Sequence, residues 1–188
     1  MFKKAALAIS LLLTMFSVAS TYGEERVKRE MVINHVDEIG LEIWSENNPA
    51  WLTQVRKRGA KFEFVAETPR SYYPPAAMHY MHFAGMEVKD GEMKGIALNA
   101  IQQAALNFGV PSSEVSAIQP VPATYSELKG YEAVFKGKAN GEDMDIKMFI
   151  GNSQGKGPVS MYIYTMRGKL GHLSEVIRRA WQNVKYQN

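Results

Sequence analysis

The segment 159–184 constrains the fold of this chain most strongly, because it joins a strand pattern to a helix pattern. Val159–Met166 reads Val-Ser-Met-Tyr-Ile-Tyr-Thr-Met, rich in the β-branched and aromatic residues typical of strands. Over about 170–184, apolar residues recur every three or four positions, which predicts an amphipathic helix. Its apolar stripe consists of Leu173, Val176, Ile177, Ala180, Trp181 and Val184. We expect a structural strand at the centre of a sheet, with the helix packed across it.

The first twenty residues have the pattern of a secretory signal peptide. Lys3 and Lys4 precede an uncharged apolar run over 5–18, and the small residues Ala19 and Ser20 follow as a cleavage site. The run is shorter than the ~20 apolar residues that span a bilayer, which favours a cleaved signal over a retained anchor. We therefore expect a signal peptide over 1–20, a periplasmic or secreted domain over 21–188, and no stable membrane span after cleavage.

The composition matches one globular domain, since 46% of the residues are hydrophobic and 11% are aromatic. The chain has no cysteine, so disulfides and thiol chemistry are excluded. Of 22 basic and 19 acidic residues, cleavage would remove Lys3 and Lys4 and leave 20 and 19. The mature protein is thus nearly neutral, and its basic clusters at 26–29 and 56–58 contain no aromatic residues. Nucleic acid is therefore not an expected partner.

Strand patterns dominate the remainder of the chain. Alternating or continuous apolar residues predict strands over 41–44, 51–55 and 61–66, and again over 130–135 and 144–150. Asn140-Gly141 between the last two predicts a two-residue hairpin turn, because both residues tolerate positive φ. The segment 76–88 fits a strand or a helix, with the strand favoured. The passage 111–122 is predicted to be a connection.

A second helix is predicted over about 92–108. Its apolar residues recur at helical spacing, and Gly109 and Pro111 form an ordinary stop. They are Ile96, Ala100, Ile101, Ala104, Ala105 and Phe108. The predicted class is therefore α+β: an antiparallel β-sheet flanked by an internal helix (about 92–108) and a C-terminal helix (about 170–184).

This order of elements, ending in Trp181-Gln182-Asn183-Val184, resembles the α/β/α sandwich of the PsbP-like and DcrB-like exported proteins. The resemblance extends best over 92–186 and rests on element order. It implies a non-enzymatic binding or accessory protein. DcrB-like proteins are typically lipoproteins, whereas this chain has no cysteine that could carry a lipid.

The stretch 78–86 contains the candidate metal ligands, and soft thioether and imidazole ligands of this kind suit Cu(I). They are Met78, His79, Met81, His82 and Met86. In a helix His79, His82 and Met86 would share a face. In a strand His79 and Met81 would lie on one side, with Met78, Tyr80 and His82 on the other. Methionine is also a common core filler, so half-buried packing is the competing interpretation.

The segment 68–75 is predicted to be an aromatic loop, because its prolines cannot pair regularly in a sheet. Tyr72 and Tyr73 in this loop, together with Tyr80, are the candidate contacts for a ligand or partner. No nucleophile motif occurs, and we predict neither a catalytic residue nor a cofactor.

The expected function is that of an exported periplasmic protein acting as a non-enzymatic binding or accessory factor in the cell envelope. Its partner would be an envelope protein or a small ligand. The alternative is a periplasmic copper- or metal-binding protein that uses the stretch 78–86, and an exported hydrolase is a more distant third interpretation.

Overall fold

A largely antiparallel α+β fold forms the part of the chain that the structure, a computed structural model, describes: residues 30–89 and 91–187. The predicted signal peptide over 1–20 lies outside the described residues. The strands and helices follow in chain order as β1 (Met31–Val36), β2 (Leu41–Glu46), β3 (Leu52–Arg58), β4 (Lys61–Glu67), β5 (Ala76–His82), α1 (Met93–Asn107), α2 (Ser112–Val115), β6 (Val121–Tyr125), β7 (Leu128–Ala139), β8 (Glu142–Asn152), β9 (Val159–Met166), α3 (Ser174–Trp181) and β10 (Lys185–Tyr186).

The strands form two sheets in which every pair of neighbours is antiparallel. The larger sheet has seven strands in the order β3-β4-β5-β9-β8-β7-β6, and the smaller has the order β1-β2-β10. β9 therefore occupies the centre of the larger sheet, as its apolar sequence predicted. Within the described residues no helix combines the length and apolar character that crossing a membrane requires.

Several predicted elements are confirmed. Strands β2 and β4 cover the segments 41–44 and 61–66, and β3 covers 51–55 except for Trp51. The ambiguous segment 76–88 is a strand as far as His82. Asn140 and Gly141 have φ values of 52° and 83°, and Ala139 pairs with Glu142 around them. The two-residue turn thus joins β7 to β8, because both of its residues accept the left-handed conformation.

Two predictions need correction. The passage 111–122 contains α2 and the start of β6, which sequence patterns missed because β6 is an exposed edge strand that includes Pro122. The segment 170–184 is not one helix: a 3-10 turn over Leu170–Leu173 precedes α3, and the chain leaves the helix after Trp181. The predicted apolar stripe is nevertheless buried along its whole length, including Val184 beyond the helix.

Alternate residues of β8 contribute to two different cores. Phe149 packs in a core with Trp181 and the rest of the apolar stripe, whereas Ile146 and Met148 pack in a second core with α1. Successive side chains of a strand point to opposite faces, so the larger sheet has a core on each face. We call the face that carries α1 the helix face.

The position of α1 is fixed by small residues. Its buried side chains are Ala97, Ile101 and Ala105, and the helix packs on β7 and β8. At the end of the helix, a Cβ placed on Gly137 would lie 2.7 Å from the Cβ of Phe108, so only glycine permits this approach. Because α1 covers the β7–β8 side of the helix face, it stands beside the part formed by β4, β5 and β9.

Replacing Trp181 by alanine tests whether the C-terminal helix is integral to the fold. Trp181 is fully buried and its ring meets that of Tyr125 edge-on, with ring centroids 5.1 Å apart. We expect Trp181→Ala to lower the free energy of unfolding by ~3–5 kcal/mol, the range for removing a buried aromatic ring. Urea unfolding measures the loss. Arg178→Ala, on the exposed side of the same helix, is the control and should lose far less. Equal losses in the two variants would contradict this account of the core.

Candidate functional site

A pocket of about 640 Å³ opens on the helix face, between α1 and the strands beside it. This volume lies within the roughly 300–1,000 Å³ that small-molecule sites usually have. Its floor comes from β4, β5 and β9, and its two sides come from α1 and from the edge strand β3. Its lining includes Glu63, His79, Ser160 and Tyr162 on the floor, Ala104 and Phe108 on the α1 side, and Arg56 and Arg58 on the β3 side.

Strand register gathers the polar residues of the floor. His79 lies opposite Tyr162 in the β5–β9 pair and opposite Val65 in the β4–β5 pair. Glu63 precedes Val65 by two residues and Ser160 precedes Tyr162 by two, so their side chains share that face. The cluster therefore follows from the order β4-β5-β9 in the sheet.

Glu63 is the centre of this cluster. Its Oε1 lies 2.9 Å from His79 Nδ1 and accepts a hydrogen bond of 3.0 Å from the Tyr162 hydroxyl, while its Oε2 accepts one of 2.8 Å from Arg58 Nε. The side chains of Glu63 and His79 are only 1% and 3% exposed. A buried carboxylate is costly unless charged and hydrogen-bonding partners surround it, and here three side chains do so.

The electrostatic balance favours the ionised form of Glu63. Burial by itself raises the pKa of Glu63, but the hydrogen bond and charge of His79, the hydrogen bond of Tyr162 and the charge of Arg58 together hold that pKa below its usual value. Burial, followed by the neighbouring Glu63 charge, raises the pKa of Tyr162. Tyr162 is therefore a neutral hydrogen-bond donor.

The partners of His79 fix the position of one ring proton. An ionised carboxylate only accepts hydrogen bonds, so the nitrogen facing Glu63, Nδ1, carries the hydrogen. The ring also stacks on Tyr162, with centroids 4.4 Å apart and planes 12° from parallel. Its other nitrogen, Nε2, and the Oγ of Ser160 are buried and make no hydrogen bond with any described residue. Two pocket-lining residues thus retain hydrogen-bonding capacity.

The structure does not bring the five predicted metal ligands together. Because the stretch forms β5, His79 and Met81 line the pocket, whereas Met78 is buried in the core on the opposite face. His82 forms a hydrogen bond between its Nδ1 and the carbonyl oxygen of Ile39. Met86 lies beyond the strand. Among residues 30–89 and 91–187, no group of three or more His, Asp or Glu side chains could hold a metal ion.

The three candidate tyrosines are also separated. Tyr80, predicted to contact a ligand or partner, is fully buried in the core and is not among the residues that line the pocket. Tyr72 packs against the core and meets Trp51 edge-on at 5.8 Å. Tyr73 is 65% exposed, with Lys169 Nζ 5.5 Å from its ring centroid. Tyr73 alone of the three presents most of its side chain to solvent.

Sequence reasoning missed Glu63, Arg58, Ser160 and Tyr162. β9 is the central strand that was predicted, and its residues Ser160, Tyr162 and Tyr164 also line the pocket. A signal was present in the alternation of these three residues, which places three hydroxyl groups on one face of a central strand. Glu63, however, looked like the outward residue of a half-buried strand.

Comparisons with known proteins do not assign a family. No family model and no curated protein matches the chain. The chain is similar to a solved structure from Bacteroides thetaiotaomicron VPI-5482, with a TM-score of 0.48 and 7% sequence identity. The match covers 79% of this chain and 46% of that one, so the chain spans less than half of its neighbour's length.

The depressed pKa of Glu63 predicts a specific dependence of stability on pH. The folded state favours the ionised form of Glu63. Its contribution to stability is therefore complete above the pKa of the unfolded state, near 4.5, and is lost as the pH falls through the lower pKa of the folded state. We expect Glu63→Gln to cost about 2 kcal/mol at pH 7, the order of a hydrogen bond to a charged group. Between pH 5 and pH 3 its free energy of unfolding, measured in urea, should fall less than that of the original protein.

Glu67→Gln is the matched control for this experiment. Glu67 lies on the same strand and bonds Arg56, but its side chain is 34% exposed. A partly exposed ion pair contributes below ~1 kcal/mol, so this variant should stay near the original stability. An acid profile unchanged by Glu63→Gln would show that Glu63 is not the stabilising carboxylate.

Proposed function

We propose that this chain is an exported, non-enzymatic binding protein that holds a small molecule in the pocket beside α1. The observation that carries the proposal is the pocket floor, where His79 Nε2 and Ser160 Oγ are buried without a hydrogen-bond partner among the described residues. Buried polar groups usually have hydrogen-bond partners. Two buried groups without a partner in one ligand-sized pocket suggest that a ligand supplies the missing hydrogen bonds. The pattern of residues 1–20 supports export.

The walls of the pocket support a ligand with an apolar part. Met148 and Ile150 of β8 line it together with Phe108 and Tyr164, and Phe83 lies at its margin with the Nζ of Lys61 3.8 Å from its ring centroid. Ligand sites commonly combine apolar and aromatic walls with a few fixed polar groups. The pocket beside α1 has this combination.

The geometry favours binding over nucleophilic catalysis. A catalytic serine must contact the base that activates it. Ser160 Oγ and His79 Nε2 both lie on the helix face, but no hydrogen bond joins them. The cluster instead fixes the orientation of the His79 ring, which suits recognition of a ligand.

The proposal includes the predicted arrangement in which the sheet is flanked by the internal and C-terminal helices. It is supported by the two cores, because α1 packs with Ile146 and Met148 while Trp181 packs with Phe149 from the other side of the same strand. In this arrangement the C-terminal helix supports the sheet, and α1 forms one wall of the pocket. The helix face would then be the ligand-binding face.

Filling the pocket tests the proposal. The neutral dye N-phenylnaphthylamine, which fluoresces on entering an apolar site, serves as the probe. We expect the folded protein to bind one equivalent, and Ala104→Trp to lower the affinity at least about tenfold, because the indole occupies space that the dye needs. Fluorescence titration measures both affinities.

Leu106→Trp is the control, because Leu106 is on the same helix but 40% exposed and outside the pocket. It should bind the dye as the original protein does. Thermal melting of each variant verifies that dye binding reports a folded site rather than a loosened core. Failure of the folded original protein to bind the dye, or equal binding by Ala104→Trp, would refute the pocket as the site.

A further inference from the structure

We infer that the pocket selects a small organic anion with an apolar, ring-bearing body. This inference deepens the proposed function and rests on it, since it concerns the same pocket. It follows from the charges around the opening, the donors on the floor and the aromatic residues of the walls.

The charged residues of the pocket are predominantly basic. Arg56, Arg58 and Lys138 line it, and Glu63 is the single carboxylate among the described residues that do so. Arg56 pairs with Glu63 across β3 and β4, so the side chains of Arg56 and Arg58 both lie on the helix face of the sheet. A pocket lined mainly by one sign of charge attracts ligands of the opposite sign.

The acidic partners leave part of this positive charge available. Glu63 already accepts from Arg58, His79 and Tyr162, so it has little capacity to attract a cationic ligand. Arg58 uses only its Nε in that contact, and a guanidinium has five N–H donors. Arg56 is paired with Glu67. Arg58 therefore remains able to bind an anion.

The floor and walls complete the description of the ligand. Ser160 Oγ can donate to an anionic oxygen, and His79 Nε2 can donate when the ring is protonated. Phe108 meets the rings of Tyr162 and Tyr164 at centroid distances of 6.0 and 5.9 Å, and all three residues line the pocket. Aromatic walls of this kind favour the flat, apolar body of an aryl carboxylate or sulfonate. A cationic ligand would instead meet the two arginines.

Two dyes of similar shape and different charge test the inference. Anilinonaphthalene sulfonate is an aryl anion, and N-phenylnaphthylamine lacks its charge. We expect the full folded protein to bind the anion at least about fivefold more tightly than the neutral dye, the ratio that one modest ion contact provides. Fluorescence titration at low salt gives both affinities, and added sodium chloride should reduce the ratio.

Arg58→Gln and Arg56→Gln should each reduce the ratio of the anionic to the neutral affinity. Arg56→Gln is the second variant because Arg56 lines the pocket and bonds Glu67 rather than Glu63, so its removal leaves the contacts of Glu63 in place. Lys57→Gln is the matched control, because this substitution also removes one positive charge. Lys57 lies next to Arg58 on β3 but points away from the pocket. The control should retain the original ratio.

The outcomes separate the two proposals. Equal affinities for the two dyes, or an equal loss of ratio in Lys57→Gln, would overturn the anion preference and leave the binding pocket standing. Failure of both dyes to bind the folded protein would overturn the proposed function and this inference with it. A higher anionic affinity that falls in both pocket variants supports the assignment.

Discussion

The carboxylate of Glu63 is the constraint on which the helix face of the sheet depends. A carboxylate with 1% exposure is tolerated in a protein interior only if charged and polar groups compensate for the lost water. Arg58, His79 and Tyr162 supply that compensation from three different strands. The same contacts orient the imidazole of His79, so that what stabilises the sheet also shapes the floor of the pocket.

The placement of α1 completes the site. The alanines of the helix and Gly137 allow it to lie close to β7 and β8, which leaves it at the side of the β4-β5-β9 surface rather than over it. The opposite face of the sheet carries the core that contains Phe149 and Trp181. The pocket thus lies on the face where α1 leaves part of the sheet uncovered.

Local patterns predicted much of the fold, whereas the site depends on pairings that are distant in sequence. The Asn140–Gly141 turn and the burial of Trp181 follow from rules that operate over a few residues. Glu63, by contrast, is 16 residues from His79 and 99 from Tyr162. These residues meet because β9 pairs with β5, and the order of strands in a sheet cannot be read from alternation alone. Sequence patterns pointed instead to the stretch 78–86 as a metal site. Because side chains alternate along a strand, its candidate ligands lie on two faces of the sheet.

The most direct test of this account is the nitrogen-15 NMR spectrum of the histidine side chains, recorded with and without saturating anilinonaphthalene sulfonate. The chain has four histidines, His35, His79, His82 and His172, and His79→Gln assigns the resonances of interest. We expect a protonated Nδ1 in a strong hydrogen bond to a carboxylate before the dye is added, and a change in the chemical shift of His79 Nε2 when the dye binds. An unprotonated Nδ1, or His79 resonances that remain unchanged at saturation, would contradict this account.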